Sequence, residues 1–185
     1  MTVQTALPGS FDLMPRASVP AGTPDAAAAL ARGLGAAPFA CIFLFISPEA
    51  DLAALAQSLP AAFGSVPVIG CTTAGEITEA GYCDGEIVAV GLPARLFAAT
   101  PILIPDLGQI DAQGLIGQLI RDRQSMARAR PGWEGEFAFL LVDGLSVRED
   151  ELASALARGL GPVPLFGGSA GDGTRFQATF ILHQG

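Results

Sequence analysis

The chain has 185 residues, half of them hydrophobic, which is enough material for one domain with a substantial core. Its 18 carboxylates against ten basic residues give a formal net charge of −8, which argues against nucleic acid and anionic membranes as partners. The three cysteines are an odd number without a CxxC pair, so we expect reduced thiols. No signal-peptide pattern opens the chain, and we therefore expect a cytoplasmic protein.

The first residues lack a regular pattern. Residues 1–22 contain three prolines and little hydrophobic periodicity, which predicts an irregular lead-in, with the domain itself over residues 23–185. Thr23, Pro24 and Asp25 are typical of a helix start, and Gly35 of its end.

Two parts of the chain repeat the same order of elements. The first has an apolar strand at residues 39–46, a helix at 50–63, a strand at 66–70 and then a glycine loop. The second has a strand at 137–142, a helix ending at 160, a strand at 164–167 and a second glycine loop. The repeat halves, about 39–104 and 137–183, predict an internal pseudo-twofold β-α-β-loop-β duplication. The fold class that follows is α/β with α+β character: a mixed sheet flanked by helices.

The remaining segments predict further elements. Residues 86–92 and 96–104 read as a β-hairpin, and the alternation over residues 176–182 predicts a closing strand. A helix is predicted from Asp111. Its C-terminal end carries four arginines, which we interpret as complementing the helix dipole rather than as an anion site: Arg121, Arg123, Arg128 and Arg130.

Both glycine loops follow the carboxyl ends of buried strands, where ligands bind in open α/β sheets. Their hydroxyls, backbone N–H groups and glycines allow hydrogen bonds and a close approach to the backbone. The simpler interpretation is that the glycines only form tight turns. The repeat favours a small-molecule site, and the predicted ligand-binding residues are Gly70, Cys71, Thr72, Thr73, Gly75, Glu76, Gly168, Ser169 and Asp172.

We predict neither a catalytic residue nor a metal site. Residues 167–171 match G-x-S-x-G around Ser169, but glycines and a strand-like segment follow where a nucleophile elbow needs a helix. A hydrolase acting through Ser169 is therefore a disfavoured alternative. The only histidine, His183, lies on the predicted closing strand; we expect it to be exposed, and its alternative role is an axial haem ligand.

Three motifs together resemble the N-terminal FIST domain. They are VIGCTTAGEI at residues 68–77, LVDGLS at 141–146 and VPLFGGSAGD at 163–172, in the family's order. The resemblance covers about residues 25–185 and implies a non-catalytic bacterial sensory domain that binds a small ligand, such as an amino acid or related metabolite, in signal transduction.

The resemblance also implies partners and an alternative cofactor. The usual neighbour is a C-terminal FIST domain, and the end of the chain at Gly185 suggests that this half lies outside the sequence. Some family members bind haem, sense nitric oxide and act on a histidine kinase or on a diguanylate cyclase or phosphodiesterase of the cyclic-di-GMP pathway.

Overall fold

The computed structural model describes residues 13–184. The nine strands of this range are β1 (Arg16–Pro20), β2 (Phe39–Ile46), β3 (Val68–Thr72), β4 (Glu76–Thr78), β5 (Gly81–Cys83), β6 (Glu86–Pro93), β7 (Ala138–Val142), β8 (Leu165–Ser169) and β9 (Ile181–Gln184). Its four α-helices are α1 (Ala26–Leu34), α2 (Leu52–Phe63), α3 (Ala112–Ala129) and α4 (Glu149–Leu160), and a 3₁₀ turn covers Leu107–Gln109. The predicted α/β class is confirmed.

The main sheet has five strands in the order β1-β6-β2-β3-β9 and is mixed. Only β2 and β3 are parallel, joined by α2, while the other neighbours are antiparallel. Alternate residues of a strand point to opposite faces. Ile42, Leu44 and Ile46 therefore share one face, where they form the main core with α1 and α2. The opposite face carries Cys41 and Phe43.

A second β-α-β unit lies against that opposite face. Strands β7 and β8 are parallel and joined by α4, and they share a second core with α3. The rings of Phe43 on β2 and Phe139 on β7 pack edge to face with centroids 4.9 Å apart, which joins the two units. The two β-α-β units agree with the order of elements in the predicted duplication, whose common origin and pseudo-twofold relation stay a prediction.

The predicted irregular lead-in is wrong in part. Residues 1–12 lie outside the described residues, but Arg16–Pro20 forms β1, which pairs antiparallel with β6. Because β1 is the edge of the sheet, its terminal Pro20 removes no hydrogen bond that a central strand would need. A short strand bounded by prolines resembles a loop in sequence.

The predicted hairpin of residues 86–92 and 96–104 is also wrong. The first half is β6, but β1 and β2 occupy its two edges, so no further strand can pair with it. Residues 98–106 run without regular structure along the gap between the two units. Their apolar side chains face a pocket there rather than a sheet.

The closing strand predicted at residues 176–182 is shorter in the structure and begins later in the chain. Strand β9 begins at Ile181 and pairs with β3 at the edge of the main sheet. Residues 176–178 instead donate their backbone N–H groups to the carboxylate of Asp172. Phe176 adopts a left-handed backbone with φ 50°, which ends any extended strand at that point.

The helix predicted from Asp111 is confirmed. The Asp111 carboxylate caps α3 by accepting the backbone N–H of Gly114 at 2.9 Å. No helix within residues 13–184 combines the length and apolar character that crossing a membrane requires.

Candidate functional site

The two glycine loops meet at the carboxyl ends of the two β-α-β units. The carbonyl of Thr72 accepts the N–H of Gly171 at 2.9 Å, and the Thr72 hydroxyl accepts the N–H of Phe180 at 3.0 Å. A methyl group on Gly171 would lie 3.0 Å from the Cβ of Ala74, so the loops are already in van der Waals contact. The two predicted loops are therefore close together in the structure, and the groups of one loop that lie nearest to the other are in direct contact with it.

The carboxylate of Glu76 serves the first loop. Glu76 is 2% exposed, its Oε1 accepts the hydroxyl of Thr73 at 2.5 Å, and its Oε2 accepts the N–H of Glu86 at 3.1 Å. These bonds fasten the loop to the start of β6. The neighbouring Gly75 lies under Tyr82, whose hydroxyl donates to the carbonyl of Ala74 at 3.0 Å. Each carboxylate oxygen of Glu76 therefore accepts a hydrogen bond that holds the loop, which is a structural function.

Asp172 holds the second loop in a similar way. Its carboxylate accepts the backbone N–H groups of Phe176, Gln177 and Ala178 at 3.0, 2.7 and 3.1 Å. The bond from Gln177, followed by those from the other two N–H groups, lowers the pKa of the Asp172 carboxyl, against the opposing effect of desolvation. The ionised side chain is thus a clamp for residues 172–178.

The other predicted loop residues are spread along the two strand ends. Gly70 and Cys71 lie within β3, and burial raises the pKa of the Cys71 thiol to about 11, which leaves it neutral. Gly168 and Ser169 are exposed at the end of β8. The Ser169 hydroxyl lies 3.5 Å from Glu149 Oε1, and coil rather than helix follows it, so the nucleophile elbow that G-x-S-x-G would require is not formed there. The role of these loops in ligand binding stays a prediction.

A pocket of about 360 Å³ opens at the other end of the strands, between the two units. Its walls come from the amino-terminal halves of β2 and β7, from β9, from α3 and from residues 96–104. Most lining side chains are apolar, including Cys41, Phe43, Ile69, Leu140 and Ile181. Sequence reasoning missed this pocket. The sequence of β2 contains the signal that could have indicated it. Its run has no polar alternation, so one face of the strand packs in the main core and the opposite face is also apolar.

Charged groups of the pocket gather around the C-terminal half of α3. The Arg123 guanidinium binds both carboxylate oxygens of Glu136, at 2.5 and 3.0 Å, and donates to the carbonyl of Leu160 at 2.9 Å. The Glu136 hydrogen bond raises the pKa of Arg123. Arg130 stacks on the ring of Trp133 at 5.7 Å, and Asp122 lines the same pocket. Arg123 therefore has a structural function, whereas Arg130 is an exposed residue at the border of the pocket.

His183 and Cys41 also border this pocket. His183 is half-buried on β9, opposite Ile69 of β3, so the predicted exposure is too high. Burial raises the pKa of the Cys41 thiol to about 11. All three cysteines are free thiols, and no cluster of three potential metal ligands occurs within residues 13–184.

Comparison with protein families matches the FIST N domain model to residues 40–185, which is more than half of the chain. Comparisons with curated proteins and with solved structures give no significant match. The matched range begins at β2 and includes both β-α-β units, both glycine loops and β9. It therefore contains nearly all of the pocket wall.

Proposed function

Because the chain belongs to the FIST N domain family of sensory domains in signal transduction, we propose that it senses a small ligand in the apolar pocket between its two β-α-β units. The pocket carries this proposal: it is concave, largely apolar, bordered by a few polar groups and close to the lower end of the usual size range of ligand sites. The proposed ligand is an amino acid or related metabolite with an apolar body.

The position of the pocket supports a sensory mechanism. Its walls come from both units, while the glycine loops fasten the same units at the opposite end through Thr72 and Gly171. A ligand that contacts both walls would favour one relative position of the units over another. The loops would then act as the joint about which that change occurs, rather than as the ligand contacts predicted from the sequence.

We propose that the chain acts by binding and not by catalysis. Asp172 and Glu76 hold loop backbone, the buried Cys71 thiol is neutral, and Ser169 has Glu149 rather than a histidine as its described partner. His183 on β9 pairs with Ile69 at the amino end of β3, whereas Ser169 lies at the carboxyl end of β8. These groups do not form the nucleophile–base–orienter arrangement of a hydrolase.

A variant with a blocked pocket tests the proposal. Ala127 is an exposed pocket-lining residue of α3, whereas Gln124 is exposed on the same helix outside the lining. The experiment is a thermal-shift screen of apolar amino acids and related carboxylates. We expect at least one compound to raise the Tm of the natural protein and of Gln124→Trp, and not to raise the Tm of Ala127→Trp. Equal stabilisation of both variants by that ligand would refute the pocket as its site.

Haem is a second candidate, favoured by one observation: His183 borders the pocket. The apolar walls suit a porphyrin and the imidazole would supply an axial ligand, and bound haem would supply an iron that takes up nitric oxide. An absorption spectrum of haem-titrated protein tests this candidate. This candidate predicts a stoichiometric Soret band that His183→Ala loses; an unchanged band in that variant would contradict His183 ligation.

The cellular setting is also a proposal. We place the protein in the bacterial cytoplasm, with a C-terminal FIST domain as neighbour and a histidine kinase, diguanylate cyclase or phosphodiesterase downstream. Strand β8 supports a neighbouring domain: within residues 13–184 it pairs only with β7, and its Phe166 is 56% exposed. Co-purification with a separately expressed C-terminal FIST domain, weakened by Phe166→Asp, tests the neighbour.

A further inference from the structure

The interior of the pocket offers few groups that could bind a charge. Its walls on the sheet side are apolar side chains, the neutral Cys41 thiol and the half-buried His183 on β9, and the backbone of β2 and β3 is paired within the sheet. Burying a charged group there without a partner would cost several kcal/mol, by the general penalty for desolvating ions. The body of the ligand must therefore be apolar, and a charge on it needs a partner among the few polar groups that border the pocket.

At the opening, Arg123 and Glu136 already satisfy each other. Both guanidinium–carboxylate bonds are formed, and Arg123 also holds the end of α4 through the Leu160 carbonyl. Opening this pair for a ligand would break its two guanidinium–carboxylate hydrogen bonds. The pair is therefore part of the wall.

Arg130 is different. Within the described residues its guanidinium donates only to the neighbouring Ala129 carbonyl, at 3.1 Å, and has no carboxylate partner. The guanidinium stacks on Trp133, which also lines the pocket, and most of its N–H donors stay available. A guanidinium presented in this way suits the two oxygens of a carboxylate.

Asp122 limits the charge of the ligand. It is half-buried in the pocket wall, with no hydrogen-bond or ion-pair partner within residues 13–184. It would repel a second negative charge. Arg130 lies just past the end of α3, eight residues after Asp122, so the two backbone positions are about 12 Å apart along the helix axis.

Resting on the proposed function, we infer that the pocket binds a monocarboxylate with an aromatic or acyl body. The body fills the space between Phe43 and Ile69 on one side and Leu140 on the other, and the carboxylate pairs with Arg130. This narrows the ligand to monocarboxylates and assigns Arg130 a binding role beyond the helix dipole.

The test compares ligands of one shape and different charge on the full chain by calorimetry. The compounds are 3-phenylpropanoate, 3-phenylpropan-1-ol and 3-phenylpropylamine, with octanoate as an acyl acid. We expect both acids to bind at least about tenfold more tightly than the alcohol, as a charged hydrogen bond at a partly exposed site provides, and more tightly than the amine, which Arg130 repels.

Variants assign the effect to its residue. Arg130→Gln should remove the advantage of the acid over the alcohol, Arg130→Lys should keep part of it, and Arg128→Gln, an exposed control outside the pocket lining, should keep all of it. Binding of the alcohol or the amine as tightly as the acid would overturn the carboxylate class and leave the pocket in place. Absence of binding by every compound would instead overturn the proposed pocket itself.

Discussion

The hydroxyl of Thr72 is the most informative single group at the junction of the two units. Thr72 is 1% exposed, and its hydroxyl accepts the N–H of Phe180 at 3.0 Å. Thr72→Val keeps the shape of the side chain and removes this acceptor. An unsatisfied buried donor costs about 1–3 kcal/mol, and because the Phe180 N–H is only partly buried we expect a loss of about 1–2 kcal/mol.

A loss of that size is measurable in thermal unfolding. For a chain of this length, 1 kcal/mol corresponds to about 2–4 °C, so Thr72→Val should lower the Tm by about 2–8 °C. Thr174→Val is the matched control, because Thr174 is exposed and makes no described hydrogen bond. Equal Tm values for the two variants in a calorimetric scan would show that the hydrogen bond to Phe180 contributes little, since surface substitutions change stability by only about 0.5 kcal/mol or less.

Three further predictions concern Asp172, the glycine loops and the free cysteines. Asp172→Asn should lower the Tm at neutral pH because the amide cannot accept three N–H groups. Since the pKa of Asp172 is depressed in the folded protein, the Tm difference between the variant and the natural protein should shrink as pH falls below about 4. A Tm difference that stays constant with pH would contradict the role of the Asp172 carboxylate in holding the loop. Gly171→Ala should cost about 1–3 kcal/mol in chemical denaturation by crowding the facing loop, whereas Gly168→Ala, with open space around it, should cost less; equal losses would contradict the contact. In native protein, Ellman's reagent should label the half-buried Cys83 faster than the two buried cysteines, and simultaneous labelling of all three would contradict their burial.

The β-α-β elements could be predicted because their local signals agree with their tertiary environment. β2 matches the predicted residues 39–46, since an uninterrupted apolar run is what a central strand requires. The end of α1 at Leu34 and the start of α3 after Asp111 follow from a glycine and a capping carboxylate. Each signal lies within a few residues of its effect.

The errors arise where distant partners decide the outcome. Residues 96–104 have strand-like composition, but β1 takes the edge of β6 that a hairpin would need. The pattern over residues 176–182 is interrupted by the Asp172 carboxylate, whose hydrogen bonds cannot be inferred from alternation. Neither β1 nor Asp172 belongs to the segment whose structure it changes, so the pattern of that segment does not reveal it.

The candidate site shows the same division. Sequence alone located the two glycine loops, and the structure brings them together at the carboxyl ends of the strands. Their mutual contact, and the pocket at the opposite end, depend on how the two units pack across Phe43 and Phe139. The spacing of residues within one segment carries no information about such packing.

Methyl NMR with added 3-phenylpropanoate locates a bound ligand directly. If the ligand binds in the pocket, we expect saturable chemical-shift changes at the methyl groups of Ile69, Leu140 and Ile181, which line it. Changes confined to Thr73, Ala74 and Ala170 would place the ligand at the glycine loops and exclude the pocket as its site.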